Sequence, residues 1–274
     1  MKIIELEKKL EGIGVADPKA EAHLILEHLF GVSYAKALME RDTEYDEDKI
    51  APFIKRREAR EPLQYIFGKW DFMGHSFFVS PNCLIPRPDT EILVYEALLR
   101  LKDGQSVADL CTGSGCIGIS LLAEREKSNA YLADISAEAL EMARKNATAL
   151  GVCQRCRIEL CDVTKELPCV RFDMIVSNPP YIPRADIDAL SDEVKHEPLL
   201  ALDGGVDGLD IVLSLIEQAP SHLFENGYLL IEFGYDQGEK IDSIMKKELA
   251  RGTYKSYKIV KDYGGNDRVL VAQI

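Results

Sequence analysis

Four consecutive residues, Asn178, Pro179, Pro180 and Tyr181, end what reads as a buried strand, FDMIVSN, and then forbid further regular structure. The carboxamide of Asn178 offers one acceptor oxygen and two donor hydrogens. Pro179 and Pro180 lack an N–H and have a fixed φ, so their carbonyls are rigidly aimed. Tyr181 adds a flat face with one polar tip. Together they form a seat for a planar group bearing an NH₂: one hydrogen goes to the Asn178 side-chain oxygen, one to a proline carbonyl, and the plane stacks on Tyr181. As a bare pattern, the same four residues would also serve as a rigid strand-exit turn.

A second constellation precedes it. Asp109 to Gly118 reads DLCTGSGCIG, with a strand before the glycines and a helix after them. Glycines at such a turn let the backbone approach a ligand closely. Asp134 ends the next strand, nineteen residues after Gly115, where a carboxylate can accept from ribose hydroxyls. A tight turn with a helix-capping Asp would give the same residues. A dinucleotide fits the loop poorly, because the first glycine of G-x-G-x-x-G falls on Cys111 or Thr112. The pattern D-x-x-x-G-x-G instead resembles the cofactor loop of S-adenosylmethionine-dependent methyltransferases. That resemblance implies that Cys111, Thr112, Gly113, Ser114, Gly115, Asp134 and Asn178 approach the cofactor. It also puts Asp162 at the adenine amino group and Val163 beside the ring. Cys111 stands where glycine is commoner.

The two constellations make one chemistry. An amide or aromatic NH₂ nitrogen is a poor nucleophile and a sulfonium methyl a strong electrophile. Two hydrogen bonds that orient the nitrogen supply much of the catalysis and strengthen as positive charge builds on it. No strong general base is required, and none stands out.

The elements that must position these residues follow from periodicity. SVADLC, AYLADI, RIELCDV, FDMIVSN and GYLLIEFG read as strands. CIGISLLAERE and SAEALEMARKNATALG read as helices between them. Such alternation means βαβ units and a parallel sheet covered on both faces. YKSYKIVKDY and DRVLVAQI, joined by GGN, form a terminal hairpin with an antiparallel edge. The expected fold class is therefore α/β, which the cofactor-loop resemblance implies is a Rossmann-like methyltransferase fold, preceded by a small helical domain. The first 70 or so residues carry helical stripes, with Asp17 and Pro18 at one start and Gly31 at its stop. The boundaries expected are a helical domain over 1–72, a hairpin-like linker over 73–88 and a catalytic domain over 89–274. The segment 182–208 is long for a loop in a compact domain and suggests a lid or partner contact.

Composition excludes several classes. The net charge of −13 gives no obvious basic face for phosphates, although a local patch could hide in that average, and no direct nucleic-acid partner is expected. No apolar run of about 18 residues exists, so no spanning helix is expected. The charged amphipathic N-terminus is unlike a signal peptide. A cytoplasmic monomer is expected. Cys153, Cys156, Cys161 and Cys169 fit no familiar zinc spacing and read as small buried hydrophobes. His196, beside Glu197, lacks the H-E-x-x-H spacing and reads as a loop hydrogen-bonder, so no metal is expected.

N-P-P-Y also occurs in nucleic-acid amino-methyltransferases, which modify adenine N6 or guanine N2. A dinucleotide-binding oxidoreductase or nucleotide sensor is a more distant reading. Seven stretches separate these: EPLQYIFG (Glu61–Gly68), LIPRPDTE (Leu84–Glu91), DLCTGSGCIGIS, DISAEAL, SNPPYI, HEPLLALDGGVDGL (His196–Leu209) and EFGYDQG (Glu232–Gly238). Over nearly the whole chain they resemble the release factor glutamine methyltransferases. The resemblance implies S-adenosyl-L-methionine as cofactor and S-adenosyl-L-homocysteine as product. It also implies, as acceptor, the glutamine of the Gly-Gly-Gln motif of class-1 peptide chain release factors. Asn178, Pro179, Pro180 and Tyr181 would hold that glutamine, with catalysis carried by Asn178, Pro179 and Tyr181, and the N-terminal helices would recognise the substrate protein. Some members carry an aromatic residue where this chain has Val163.

Overall fold

The computed structural model describes residues 1–165, 167 and 169–274. The chain divides into two compact units. One holds Met1–Gly68 with Ser191–His196, the other Lys69–Leu190 with Glu197–Ile274.

The first unit is built from α1 (Ile3–Ile13), α2 (Pro18–Phe30), α3 (Tyr34–Met39), α4 (Glu47–Glu58) and α5 (Leu63–Phe67). Asp17 caps α2 by accepting from the Ala20 amide at 3.0 Å, and Gly31 ends it in the left-handed region. Leu6, Leu10, Ile25, Leu26 and Ile50 form its dry core. Arg57 is buried there, its guanidinium on both oxygens of Glu21 at 2.9 Å. It also reaches Glu193 at 3.3 Å, and His196 Nε2 meets the Ala59 carbonyl at 2.9 Å. These contacts account for the short excursion of 191–196 into this unit.

The second unit opens with a hairpin, β1 (Lys69–Phe72) and β2 (His75–Phe78). Its strands begin before residue 73, so the linker expected over 73–88 is displaced. The reason is the turn: Met73 and Gly74 both have positive φ, the geometry of a two-residue hairpin loop, but Met-Gly lacks the usual Asn-Gly signature. Residue 72 likewise falls inside this unit, which starts at Lys69.

Then follow α6 (Thr90–Leu98), β3 (Ser106–Leu110), α7 (Cys116–Glu124), β4 (Asn129–Asp134), α8 (Ala137–Ala149), β5 (Cys156–Leu160), β6 (Phe172–Ser177), α9 (Asp210–His222), β7 (Leu223–Glu232), α10 (Gly238–Ala250), β8 (Ser256–Lys261) and β9 (Asp267–Gln273). The sheet order is β5-β4-β3-β6-β7-β9-β8. The first five are mutually parallel, and β9 runs antiparallel between β7 and β8. The expected α/β class and terminal hairpin are thus present. One face buries α6, α7 and α8 with Phe72 and Phe77 of the hairpin. The other buries α9 and α10.

β3 and β6 are neighbours whose chains depart to opposite sides of the sheet. Their carboxyl ends therefore flank a crevice, the place where open α/β sheets bind ligands. The segment 182–208 is not structureless. It carries short 3₁₀ helices at Arg184–Ala189, Val194–His196 and Leu199–Ala201, and Ile182 bridges Asp203. Cys153 and Cys156 pack on one face of the sheet, Cys161 on the other, and Cys169 is exposed. Among the described residues no group of His, Cys, Asp or Glu could hold a metal, and no helix is long and apolar enough to cross a membrane.

Candidate active site

The crevice is a cavity of about 180 Å³ at the ends of β3, β4 and β6. Cys111, Thr112, Gly113, Ser114, Asp134, Asp162, Val163, Asn178 and Pro180 line it. Gly115, Pro179 and Tyr181 do not stand in its wall.

The glycine loop owes its shape to Asp109 at the end of β3. Its fully buried carboxylate accepts from the Thr112 hydroxyl at 2.6 Å and the Gly118 amide at 2.9 Å. Burial pushes this acid up to about 7, against the pull of those two donors. A Cβ on Gly118 would run into Leu132 and stand 3.0 Å from Asp109 Oδ2, so glycine is needed for helix–strand approach. Gly113 has φ +54, and a Cβ there would meet nothing within 4 Å. The backbone is therefore open to the cavity side. Cys111 also adopts a left-handed φ of 59, which explains why glycine suits that position better.

Asp134 is held by two backbone amides, Gly113 at 2.8 Å and Ser136 at 2.9 Å. Burial raises its pKa from the ordinary carboxylate value, with the amides opposing. Asn146 of α8, fully buried, ties the loop to the hairpin. It donates to the Ser114 carbonyl at 2.9 Å and the Phe78 carbonyl at 3.0 Å, and accepts from the Phe78 amide at 2.7 Å.

Asp162 lies just past β5. Its carboxylate accepts from the Thr164 hydroxyl at 2.6 Å and pairs with Lys165 at 3.1 Å. The Thr164 hydroxyl leads the causes that hold it below its ordinary value. Val163 is buried, its carbonyl accepting from Ser214 and Gln218.

Asn178 donates from Nδ2 to Thr90 Oγ1 at 3.1 Å, so its oxygen is the end left for a ligand. The turn after it is clamped from two sides. Gln237 Nε2 donates to the Tyr181 carbonyl at 2.9 Å. Gly204 lies against the same backbone, where a Cβ would stand 2.7 Å from Tyr181 Cα and 2.8 Å from the Pro180 oxygen. The Tyr181 hydroxyl donates to Glu232 Oε1 at 3.2 Å, and burial pushes the phenol above its ordinary range. Its ring is thus engaged behind the seat rather than forming the cavity wall. Arg87 lines the cavity and pairs with the buried Glu197, whose other oxygen accepts from the Ile85 amide at 3.0 Å.

Residue-by-residue reading of the sequence did not single out Thr90, Arg87, Asn146, Glu197, Glu232 or Gln237. All six lie within quoted stretches, IPRPDTE, SAEALEMARKNATALG, HEPLL and EFGYDQG, but as polar residues with no local pattern. Asn146 has only its burial on an amphipathic helix to mark it.

Three kinds of similarity accompany this geometry. Residues 88–197 match the family described as Methyltransferase small domain, and residues 3–68 that described as PrmC N-terminal domain. A release factor glutamine methyltransferase of Aquifex aeolicus is 36% identical over 278 residues, covering 100% of this chain and 96% of its own. One of Agrobacterium fabrum is 40% identical over 279 residues, covering 98% and 94%. Among solved structures, a methyltransferase from Pyrococcus furiosus aligns over 80% of this chain and 98% of its own with a TM-score of 0.53 and 19% identity, a likeness of fold alone.

Proposed function

The chain belongs to the release factor glutamine methyltransferases, and from that premise we propose that it transfers a methyl group from S-adenosyl-L-methionine to the side-chain amide nitrogen of a release-factor glutamine. The acceptor is the glutamine of the Gly-Gly-Gln motif in class-1 peptide chain release factors, so the reaction modulates translation termination. The observation that carries this reading is the Asn178 carboxamide, anchored by its NH₂ on Thr90, beside the same cavity that Gly113 and Asp134 line.

The donor set suits the cofactor. Asp134 would accept from ribose hydroxyls, the open face over Gly113 would admit the amino-acid part, and Cys111, Thr112, Ser114 and Gly115 shape that loop. Val163 offers an apolar contact to the adenine. Asp162 accepts from its amino group with whatever capacity Thr164 and Lys165 leave. When bound, S-adenosyl-L-methionine would supply an electrophilic methyl on a sulfonium, with S-adenosyl-L-homocysteine as the product.

The seat does the rest. Asn178 Oδ1 accepts one hydrogen of the glutamine NH₂ and the Pro179 or Pro180 carbonyl the other. Those two bonds would orient the nitrogen for attack on an electrophilic methyl. As charge builds on the nitrogen its hydrogens become more acidic and both bonds strengthen, so they act mainly in the transition state. The proton is lost after transfer, and no residue has to remove it beforehand. Tyr181 braces the turn through Glu232. The helical unit recognises the body of the release factor, and the enzyme works as a cytoplasmic monomer without direct contact to nucleic acid.

Asn178→Ala tests the assignment. Turnover should fall by about 10²–10³-fold, the usual cost of losing one such partner, while calorimetry shows cofactor binding unchanged. An equal loss of cofactor affinity would remove Asn178 from the acceptor side.

A further inference from the structure

Arg87 stands in the cavity wall, and among the described residues that line it there is no other Lys or Arg. Three carboxylates, Asp134, Asp162 and Asp203, line the same space. An anionic group held there therefore has one cation to go to. That cation is fixed in place. Its Nη2 pairs with Oε1 of Glu197, whose side chain is 1% exposed, and Glu197 Oε2 accepts from the Ile85 amide at 3.0 Å. The Arg87 side chain remains 35% exposed. A guanidinium carries five donor hydrogens in a flat fork, more than the single Glu197 oxygen can take. Stability alone does not explain the pair, since apolar side chains of similar volume hold a buried site as well or better.

The order of the strands says which part of a ligand Arg87 would meet. Across the crevice it runs β5-β4-β3-β6. Asp162 lies past β5, Asp134 ends β4, the loop of Gly113 follows β3, and Asn178 follows β6. With adenine at Asp162 and ribose at Asp134, the amino-acid part of the cofactor falls over the β3 loop, next to β6. Arg87 belongs to that end. Its carbonyl accepts from the Thr90 amide at 3.1 Å in the turn that opens α6, and Thr90 Oγ1 accepts from Asn178 Nδ2 at 3.1 Å. The acids in the wall suit the ammonium and sulfonium of such a ligand. Its carboxylate is the group they would repel.

We propose that Arg87, steadied by Glu197, is a cofactor-binding residue that holds the carboxylate of the amino-acid part of S-adenosyl-L-methionine. The proposal rests on the reading of the cavity as the cofactor site.

The test is a binding cycle by calorimetry, with no turnover in it. S-Adenosyl-L-methionine and its decarboxylated form differ only in that carboxylate. Wild type should bind the decarboxylated form about 10- to 100-fold more weakly, the usual worth of a charged hydrogen-bonded contact. Arg87→Met should weaken S-adenosyl-L-methionine by a similar factor and bind the decarboxylated form no more weakly than wild type does. The penalty for lacking the carboxylate then disappears. Arg87→Lys keeps the charge and loses the fork, and should fall between. If Arg87→Met does not fold because Glu197 is left buried and unpaired, Arg87→Met with Glu197→Met removes both charges, and the same result is expected of it.

Equal binding of the two compounds by wild type, or the same penalty in Arg87→Met as in wild type, overturns the proposal. A rise in KM for the release factor with both binding constants unchanged would also overturn it, and would move Arg87 to the acceptor side. If wild type binds neither compound, the cofactor reading fails and the proposal with it. If it binds both and methylates no release factor, the acceptor reading alone fails, and the cycle still decides Arg87.

Discussion

Gln237 Nε2 donates to the Tyr181 carbonyl oxygen at 2.9 Å and to the Gly208 carbonyl at 3.2 Å, while its Oε1 accepts from the Gly234 amide at 2.8 Å. One buried amide thus joins the turn after β6, the end of the 182–208 segment and the turn after β7. Gln237→Leu leaves those three backbone groups without their partner. Stability should drop by about 1–3 kcal/mol, the cost of an unmet buried polar group. Turnover should fall further than cofactor affinity if the turn it holds carries the proposed acceptor seat. Denaturant midpoints and calorimetry on one preparation check both. Unchanged turnover at reduced stability would confine Gln237 to folding.

The left-handed φ of 59 at Cys111 inverts an ordinary ranking. At a regular position Gly is worse than Ala by about 0.5–1 kcal/mol, but a Cβ in the left-handed region costs about 1–2 kcal/mol. Cys111→Gly should therefore melt above Cys111→Ala, although both lose the thiol. The reverse order in a thermal scan would show that the loop relaxes out of this conformation.

The buried Asp109 gives the fold a pH signature. An unfolded chain ionises this group near 3.8, while burial lets the folded one keep its proton until about 7. Between those values the folded state binds the extra proton. Its stability therefore falls as pH rises, by about 1.4 kcal/mol per pH unit for each such group. Glu232 adds to the slope from 4.5 to about 7. Asp109→Asn should flatten the decline without abolishing it. Urea midpoints measured across that window give the slope, and an identical slope in the variant would contradict the account.

The helical unit exposes an apolar group on α3: Tyr34 and Met39 are 60% and 87% exposed. If this unit recognises the release factor, charged replacements there, Tyr34→Lys with Met39→Lys, should raise KM for the whole release factor several-fold. Cofactor affinity and melting temperature should not move. An unchanged KM would direct recognition elsewhere on the unit.

Much of this architecture was legible because β3, β4 and β6 are short apolar runs that meet a polar residue at or beside their ends, Asp109, Asp134 and Asn178. The alternation with helices then settles the sheet. The supporting shell was not legible. Asn178 and Thr90 are 88 residues apart, and Tyr181 and Glu232 51; only the strand order brings them together. The hairpin was misplaced because its Met73–Gly74 turn uses an unusual residue in a positive-φ position. The ring of Tyr181, expected to stack on the acceptor, has its hydroxyl drawn to Glu232, which no local pattern announces.

The central claim is tested most directly by methyl transfer from labelled S-adenosyl-L-methionine to a purified class-1 release factor, beside a copy whose Gly-Gly-Gln glutamine is alanine. The account predicts label on the first and none on the second. Equal label on both, or none on either with cofactor binding intact, would contradict it.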